Sequence, residues 1–394
     1  MRQRLLNPSK TNSYFVFGPR GSGKTTWIKS NYTKNALYFD LLDSKTDFEL
    51  KKDPSLWLKQ WLLLEPRPDT IIIDEIQKNP NLLDEVHKAI EEHKVQIILT
   101  GSGARKLKRG ASNLLAGRAF ESHLHPFSFF EIQDIFDLNS VLHFGLLPKL
   151  FSGELFDPKD KERYLYSYVS VYMREEILQE QIIRQLDPFQ KFLEAAAQSN
   201  GKIVNCAKIG RDAGIDPKQV ERYFPILSET LIGFFLEPYH SSIRKRQMKK
   251  SKFYFFDMGV VRTLQNRVSL PPLEGTSEFG DLFEHFIILE FFKLNHYLEK
   301  HFKISYFCSK DSGEIDLIIE KPGGDLILVE IKSNDRIDMD EVKKLRHLSE
   351  SFKHSKFLSK ELIFLSRDKT ERAENGVKCL YWQTGLRQIF GIGR

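Results

Sequence analysis

The residues that most directly specify chemistry in this chain are Gly18-Pro19-Arg20-Gly21-Ser22-Gly23-Lys24-Thr25, followed by Thr26. They fit G-x-x-x-x-G-K-[ST] without a mismatch, between an apolar run, Tyr14-Phe15-Val16-Phe17, and a helical one. Glycines at these positions let backbone N–H groups curl around a β-phosphate. Lys24 brings positive charge to the β and γ oxygens, and the Thr25 hydroxyl is placed to ligate Mg²⁺. ATP with Mg²⁺ is therefore the expected ligand of Gly18 through Thr26. A second constellation is Ile71-Ile72-Ile73-Asp74-Glu75. Asp74 at the carboxyl end of a buried strand can hold Mg²⁺, and Glu75 beside it can polarise an attacking water. The competing structural reading is a helix N-terminus, with Asp74 as cap and Glu75 favouring the helix dipole.

The pair G-x-x-x-x-G-K-T and hydrophobic-D-E resembles the AAA+ ATPases. The resemblance implies a polar residue between the two motifs that senses the γ-phosphate. Thr100-Gly101-Ser102, after Val95-Gln96-Ile97-Ile98-Leu99, offers Thr100 or Ser102 for it. It also implies an arginine finger reaching a neighbouring subunit's nucleotide, hence a homo-oligomer, expected as a hexameric ring. Arg118, in Leu115-Ala116-Gly117-Arg118, is the preferred candidate, with Arg105 and Arg174 behind it. A surface ion pair is the ordinary alternative for any one arginine.

A further set of carboxylates lies near the end of the chain. Asp316 stands near the start of a strand, in Gly313-Glu314-Ile315-Asp316-Leu317-Ile318-Ile319. A Pro-Gly-Gly turn leads into Leu326-Ile327-Leu328-Val329-Glu330-Ile331-Lys332. Glu330 and Lys332 are two apart, so both face one side of their strand. A hairpin can bring Asp316 beside them. Asp316 and Glu330 binding Mg²⁺, with Lys332 orienting water, suits phosphodiester hydrolysis. Glu284, on the preceding helical run, is a further metal-ligand candidate. The D…E-x-K pattern resembles the PD-(D/E)xK nuclease fold of restriction enzymes and archaeal Holliday-junction resolvases, although Ile315 replaces the proline. An amphipathic hairpin with a cross-strand ion pair, or a degenerate nuclease fold kept for binding, would carry the same residues.

Between these sets, Ile203 to Ile215 reads as a short helix ending at Gly214. Asp216 caps a second helix with Pro217 at its first position. A helix, a glycine turn and a helix predict a helix-turn-helix, and two following strands predict a winged helix. The loop between those strands carries Arg244, Lys245, Arg246, Lys249, Lys250 and Lys252, with no acid from Ser241 to Lys252. Such a loop suits DNA phosphates, although a solvated loop in a protein-packing domain would look alike.

The elements that must position these residues follow from the pattern. Strands are expected at Ser13–Phe17, Ala36–Asp40, Thr70–Asp74 and Val95–Thr100, with helices at Pro54–Leu64 and Asn81–Glu92. This is the alternation of a parallel sheet covered on both faces. From Asp137 to Leu186 the pattern turns helical, with Tyr164, Tyr166, Tyr168 and Tyr172 at helical spacing. Pro271, Pro272, Gly275 and Gly280 mark a linker. The expected class is α/β: an AAA+ parallel sheet (1–135), a helical lid or connector (136–187), a winged-helix DNA-binding domain (188–270) and a restriction-endonuclease-like α/β domain (271–394).

The chain is 394 residues long, so two or three domains are expected. Lys and Arg number 59 against 53 Asp and Glu, a net charge of +6 that permits a nucleic-acid partner without requiring one. Three distant cysteines exclude a disulfide framework and a four-cysteine zinc site. No apolar run approaches a membrane span and no apolar segment follows the arginines of the first ten residues, so a cytoplasmic protein without a membrane partner is expected. Over its whole length the chain resembles the predicted AAA+ ATPases of bacteria and archaea that carry a C-terminal domain of unknown function (DUF4143). The leading expectation is an ATPase that couples hydrolysis to DNA remodelling, with branched junctions as the favoured substrate and a nuclease-like end that recognises or cuts DNA. The alternative is a STAND-like signalling ATPase with a catalytically dead C-terminal interaction domain. A small-molecule kinase is a weaker third reading.

Overall fold

The computed structural model describes residues 2–32, 35–103, 117–155, 157–173, 186–239, 250–309, 313–352 and 359–393. The β-branched and aromatic runs of the first third form strands because each is flanked by helices that remove it from water. β1 (Ser13–Phe17), β3 (Thr70–Asp74) and β4 (Gln96–Gly101) are buried along their whole length. β2 (Ala36–Asp40) and β5 (Ala119–His123) are less buried and lie at the two edges. The order is β2-β3-β4-β1-β5, with every pairing parallel.

Parallel neighbours require crossover connections. Among the described residues these are α1 (Lys24–Asn31), α2 (Ser44–Lys52), α3 (Leu56–Leu62) and α4 (Leu82–His93). Trp57, Trp61, Leu83 and Val86 cover one face of the sheet. Tyr14, Val16, Trp27, Ile72 and Ile98 cluster on the other. β4 separates the strand of the phosphate loop from the strand ending at Asp74. The carboxyl ends of β1, β4 and β3 therefore present Gly18, Thr100 and Asp74 side by side.

The middle of the chain is helical, then ends in a hairpin. α5 (Leu138–Phe144) and α6 (Pro158–Ser167) come first, and α6 runs into a wider π-helical segment, Tyr168–Met173. After α7 (Leu186–Gln198), α8 (Cys206–Ala213) starts on an Asn205 cap and ends at Gly214, whose φ of 68° is the left-handed conformation that ends a helix. α9 (Pro217–Glu229) has the expected Asp216 cap, which accepts from the Lys218 N–H, and Pro217 in its first turn. β6 (Gly233–Pro238) and β7 (Lys252–Phe255) pair antiparallel, and Ile203 bridges to Lys252. α10 (Met258–Leu264) follows directly, capped by Asp257.

α11 (Ser277–Tyr297) starts earlier than expected. Thr276 caps it, so Gly280 lies inside the helix and the linker ends before it. Its apolar residues face several partners at once, which is why it reads as hydrophobic nearly all round. β8 (Lys303–Ser309), β9 (Gly313–Glu320), β10 (Asp325–Ile331), α12 (Met339–Ser349), β11 (Ser359–Ser366), β12 (Arg372–Glu374), β13 (Val377–Tyr381) and α13 (Trp382–Phe390) complete the chain. The strands form a sheet of order β12-β13-β11-β10-β9-β8-β6-β7. The hairpin expected as a separate wing is therefore its outermost pair. β6 runs parallel to β8 through Glu237 opposite Ser305 and Pro238 opposite Tyr306. One sheet runs across the boundary expected at residue 270.

Candidate functional site

The phosphate loop is built where β1 gives way to α1. A side chain at position 18 would meet the Leu124 carbonyl oxygen at 2.1 Å, so glycine is required there. Gly23 caps α1 with φ 92°, and no side chain caps the helix, so its first N–H groups stay directed into the loop. The Lys24 side chain is buried and its Nζ donates to the Gly18 and Pro19 carbonyls at 2.8 and 3.4 Å. The buried Ser22 Oγ has no hydrogen-bond partner. Thr26 is exposed on the first turn of α1. An ammonium held inside a ring of backbone groups with an unused hydroxyl beside it suits a polyphosphate.

Asp74 is fully buried and gathers three hydroxyls. Thr25 donates to it at 2.8 Å, Tyr38 at 2.5 Å, and Thr100 makes a short bond to its other oxygen. Burial, followed by Asp74, pushes the Tyr38 hydroxyl far above its ordinary pKa and keeps it a donor. The Thr25–Asp74 contact links the two residues expected to share Mg²⁺, and that pairing fits a hard cation with oxygen ligands. Glu75 sits in left-handed backbone with φ 62°. Its N–H donates to Thr100 Oγ1 at 2.9 Å. Its carboxylate accepts a short bond from the Gln77 amide, which also donates to Ser102 Oγ at 3.0 Å. Thr100 thus reaches both acids directly, Asp74 at its carboxylate and Glu75 at its backbone N–H, while Ser102 reaches Glu75 through Gln77. The helix-cap reading of Asp74 fails: the next helical turn, Ile76–Lys78, has Glu75 in the capping position with no side-chain cap.

Three residues here were not foreseen. Tyr38 reaches Asp74 because β2 pairs with β3, which the sequence does not state. Gln77 lies two residues past Glu75 within the acidic motif. Arg4 is buried and its guanidinium donates to the Ser22 carbonyl at 2.9 Å, the His125 carbonyl at 2.5 Å and Tyr297 Oη at 3.2 Å, while pairing with Glu131 at 2.9 Å. From the helical part, the Tyr168 hydroxyl donates to the Arg20 carbonyl at 2.7 Å. The phosphate loop is thus held by Arg4 and Tyr168 from two other parts of the chain.

Arg118 lies at the start of β5, ion-paired with Glu91 of α4 on the surface. Arg105 and Arg174 fall outside the described residues, as do Arg244, Lys245, Arg246 and Lys249. Lys250 is exposed. Lys252 is a correction. It was expected to contact DNA, but its side chain is buried and its ammonium lies 3.4 Å from Glu284 and in a short ion pair with Glu314. The reason is its position as the first residue of β7, whose side chains are buried on both faces.

The C-terminal candidates do come together. Asp316 Oδ2 accepts from the Ile331 N–H at 2.8 Å, across the β9–β10 pair. Lys332 Nζ donates to Glu330 Oε1 at 2.5 Å and lies 3.8 Å from Glu341. Glu284, from α11, accepts from the Tyr254 hydroxyl at 2.7 Å. Burial raises the Asp316 carboxyl well above its usual range, and the charges of Glu330 and Glu284 act the same way. Burial also raises Glu330, against the pull of Lys332. For Lys252, burial opposes the charge, but Glu284, Glu314 and Asp316 outweigh it and raise the ammonium's pKa. Lys332 is raised in the same way by Asp316 and Glu330.

For a divalent cation this is a partial fit. Asp316 and Glu330 are buried as a metal pair would be, and Glu330 Oε2 is buried without a hydrogen-bond partner. Yet among the described residues no three Asp, Glu, His or Cys side chains are gathered so as to hold a metal as they stand. Glu284 is taken up by Lys252 and Tyr254 instead.

With this geometry, comparison with known proteins divides the chain in three. Residues 10–133 match the AAA domain, residues 135–270 a domain of unknown function (DUF8612), and residues 279–384 a domain of unknown function (DUF4143). The chain thus carries an AAA domain followed, at its C-terminal end, by a DUF4143 domain. Uncharacterized proteins of Mycobacterium tuberculosis and Mycobacterium bovis are each 23% identical over 310 residues, covering 78% of this chain and 67% of theirs. Among solved structures, the Aeropyrum pernix ORC1 protein in complex with DNA aligns at 12% identity and TM-score 0.26, covering 66% of this chain and 87% of that one. Domain III of the Thermotoga maritima replication initiation protein DnaA aligns at 17% identity and TM-score 0.27, covering 52% and 85%. No described helix is long and apolar enough to cross a membrane.

Proposed function

We propose that this protein is an ATPase that couples hydrolysis to DNA remodelling, with a nuclease-like C-terminal domain that recognises or cuts DNA. The observation that carries the ATPase reading is the row of strand ends where Thr25, Asp74, Thr100 and Glu75 are linked by hydrogen bonds. Mg²⁺ bound to ATP neutralises phosphate charge. Gly18 to Thr25 would hold the phosphates, with Thr25 and Asp74 as the cation's oxygen ligands. Glu75, fixed through its own N–H by Thr100, is the base that orients a water. Arg118 is the proposed finger toward a neighbouring copy in a ring.

For DNA, the support is the succession of α8, the turn at Gly214 and α9, which we read as a helix-turn-helix, with the β6–β7 hairpin read as its wing. Its connecting loop still offers five cations once Lys252 is withdrawn: Arg244, Lys245, Arg246, Lys249 and Lys250. The convergence of Asp316, Glu330 and Lys332 supports a phosphodiester site of the nuclease-like kind, and branched junctions are the proposed substrate.

Nucleotide binding and steady-state hydrolysis, with and without linear, forked and four-way DNA, test this reading. Lys24→Ala is expected to lose nucleotide binding, and Glu75→Gln to bind ATP while losing turnover. Hydrolysis that survives both changes would sink the site assignment. Replacing Arg244, Lys245, Arg246 and Lys249 with alanine is expected to flatten the salt dependence of duplex affinity. The slope of log affinity against log salt should fall by up to ~0.9 for each phosphate that the loop ceases to neutralise. Absence of DNA binding at low salt would overturn the DNA part and favour a protein partner.

A further inference from the structure

The carboxylate cluster is not made by the C-terminal domain alone. Lys252 and Tyr254, alternate residues on one face of β7, enter it from the middle of the chain. Lys252 Nζ lies between Glu284 and Glu314 and 5.3 Å from the centre of the Tyr306 ring. Tyr254 donates to the same Glu284 oxygen that Lys252 contacts. Across the cluster, Asp316 is anchored by the Ile331 N–H, and Glu330 keeps Oε2 buried without a partner while Oε1 takes Lys332. Glu284, Glu314, Asp316, Glu330 and Glu341 lie around Lys252 and Lys332, so carboxyl groups outnumber the ammonium groups among them. A buried carboxylate oxygen without a donor is costly unless something charged approaches it.

We propose that Lys252 is the internal cation of this site, holding Glu284 and Glu314 in the place a divalent cation would claim. The inference rests on reading Asp316 and Glu330 as a cation-binding pair. It follows from two facts. Glu284 cannot give the same oxygen fully to a metal while Lys252 and Tyr254 hold it. Lys252 is also joined covalently to the basic loop that ends at Lys250 and Ser251. That segment is fixed at Ser251, which donates to Glu237 at 2.8 Å, and at the Lys250 carbonyl, which accepts from Tyr306 at 2.6 Å. These bonds hold the backbone leading into Lys252 and help keep its ammonium against Glu284 and Glu314. Lys252 is a positioning residue here, acting through Glu284.

Calorimetric titration of the nucleotide-free full chain with Mn²⁺ tests the proposal, using wild type, Lys252→Met, Tyr254→Phe and Asp316→Asn. The site is identified as the binding lost in Asp316→Asn. Lys252→Met is expected to bind Mn²⁺ about tenfold more tightly or better, because removal of a unit charge a few ångströms away lifts a large repulsion. Tyr254→Phe, which frees Glu284 without touching the lysine, is expected to shift affinity the same way by less. Equal or weaker Mn²⁺ binding in Lys252→Met, with Asp316→Asn still abolishing it, would overturn the role of Lys252 and leave the cation pair standing. Absence of any Asp316-dependent binding in wild type and Lys252→Met alike would overturn both. Should Lys252→Met fail to fold by circular dichroism, Tyr254→Phe decides: affinity no tighter than wild type refutes the proposal.

Discussion

At the scale of single residues, the proposed nucleotide site turns on one threonine. Thr100 donates to Asp74 and accepts from the Glu75 N–H, so one hydroxyl fixes both members of the acidic pair. Glu75 needs that support because its backbone is left-handed, a conformation that costs a non-glycine residue about 1–3 kcal/mol unless its surroundings hold it. Thr100→Val keeps the shape and removes both bonds. An unpaired N–H at a buried site costs about 1–3 kcal/mol. Turnover is therefore expected to fall about ten- to a hundredfold, with little change in ADP affinity, because Lys24 and the glycines are untouched. Steady-state hydrolysis beside a fluorescent-ADP titration separates the two quantities. Equal losses in both would mean that Thr100 shapes the loop rather than the acidic pair. Tyr38→Phe removes a single bond to the same carboxylate and is expected to cost less.

At the scale of elements, α10 is tied to α5 by one buried carboxylate. Asp257 accepts from the Val260 N–H at 3.2 Å as the helix cap and from the Leu146 N–H at 2.6 Å. A side chain at Gly145 would lie 2.0 Å from its Oδ1, so the two segments touch through glycine. Asp257→Ala removes a cap, worth about 1 kcal/mol, and orphans a buried N–H, worth about 1–3 kcal/mol. A loss of about 2–4 kcal/mol in urea unfolding is expected, and a change below about 0.5 kcal/mol would refute the assignment. Elements of this kind were largely legible. Asp216, Pro217 and Gly214 fixed α8 and α9 because capping chemistry is local. Glu330 and Lys332 were readable as one face from their spacing of two. Tyr38 and Arg4 were not, because their partners depend on strand order and on contacts more than a hundred residues distant in sequence. Lys252 was misread as surface because its neighbours in sequence are cations. The run Phe253-Tyr254-Phe255-Phe256 after it already described a strand buried on both faces, and that signal outweighs the charge of a strand's first residue.

At the scale of the whole molecule, the AAA domain and the C-terminal helix α11 meet along a seam of buried polar groups. Glu290 accepts from Ser128 Oγ and the Phe129 N–H, Lys293 donates to the Phe127 carbonyl, and Tyr297 receives Arg4. These α11 residues are spaced three and four apart, so one helix face carries the seam. Beside it, His125 Nε2 and His296 Nδ1 lie 2.8 Å apart, with His123 stacked on both rings. Burial, then the charges of His296, His123, Lys293 and Arg4, holds His125 well below the usual histidine range. Burial, then His123, brings His296 to about 3. A histidine depressed in the folded state binds protons more tightly when unfolded. Its stabilising contribution is present above about pH 6.5 and is lost as pH falls from there toward 3. Between pH 7 and pH 5, His296 alone withdraws about 2 kcal/mol. Asp257 has the opposite sign. Burial raises it to about 6, so its contribution is present at low pH and lost as pH rises through that value. The total pH profile therefore mixes opposing slopes, and the useful quantity is a difference between variants. His296→Asn keeps a polar group near the Nδ1 position and cannot titrate. At pH 7 it is expected to be less stable than wild type because packing is lost. At pH 5 that deficit should shrink by about 2 kcal/mol, since only the wild type then bears the cost of the His296 imidazole resisting protonation, while His125 is present in both proteins. Urea unfolding of both proteins at the two pH values measures this, and a deficit unchanged between them would show that His296 does not carry the acid response.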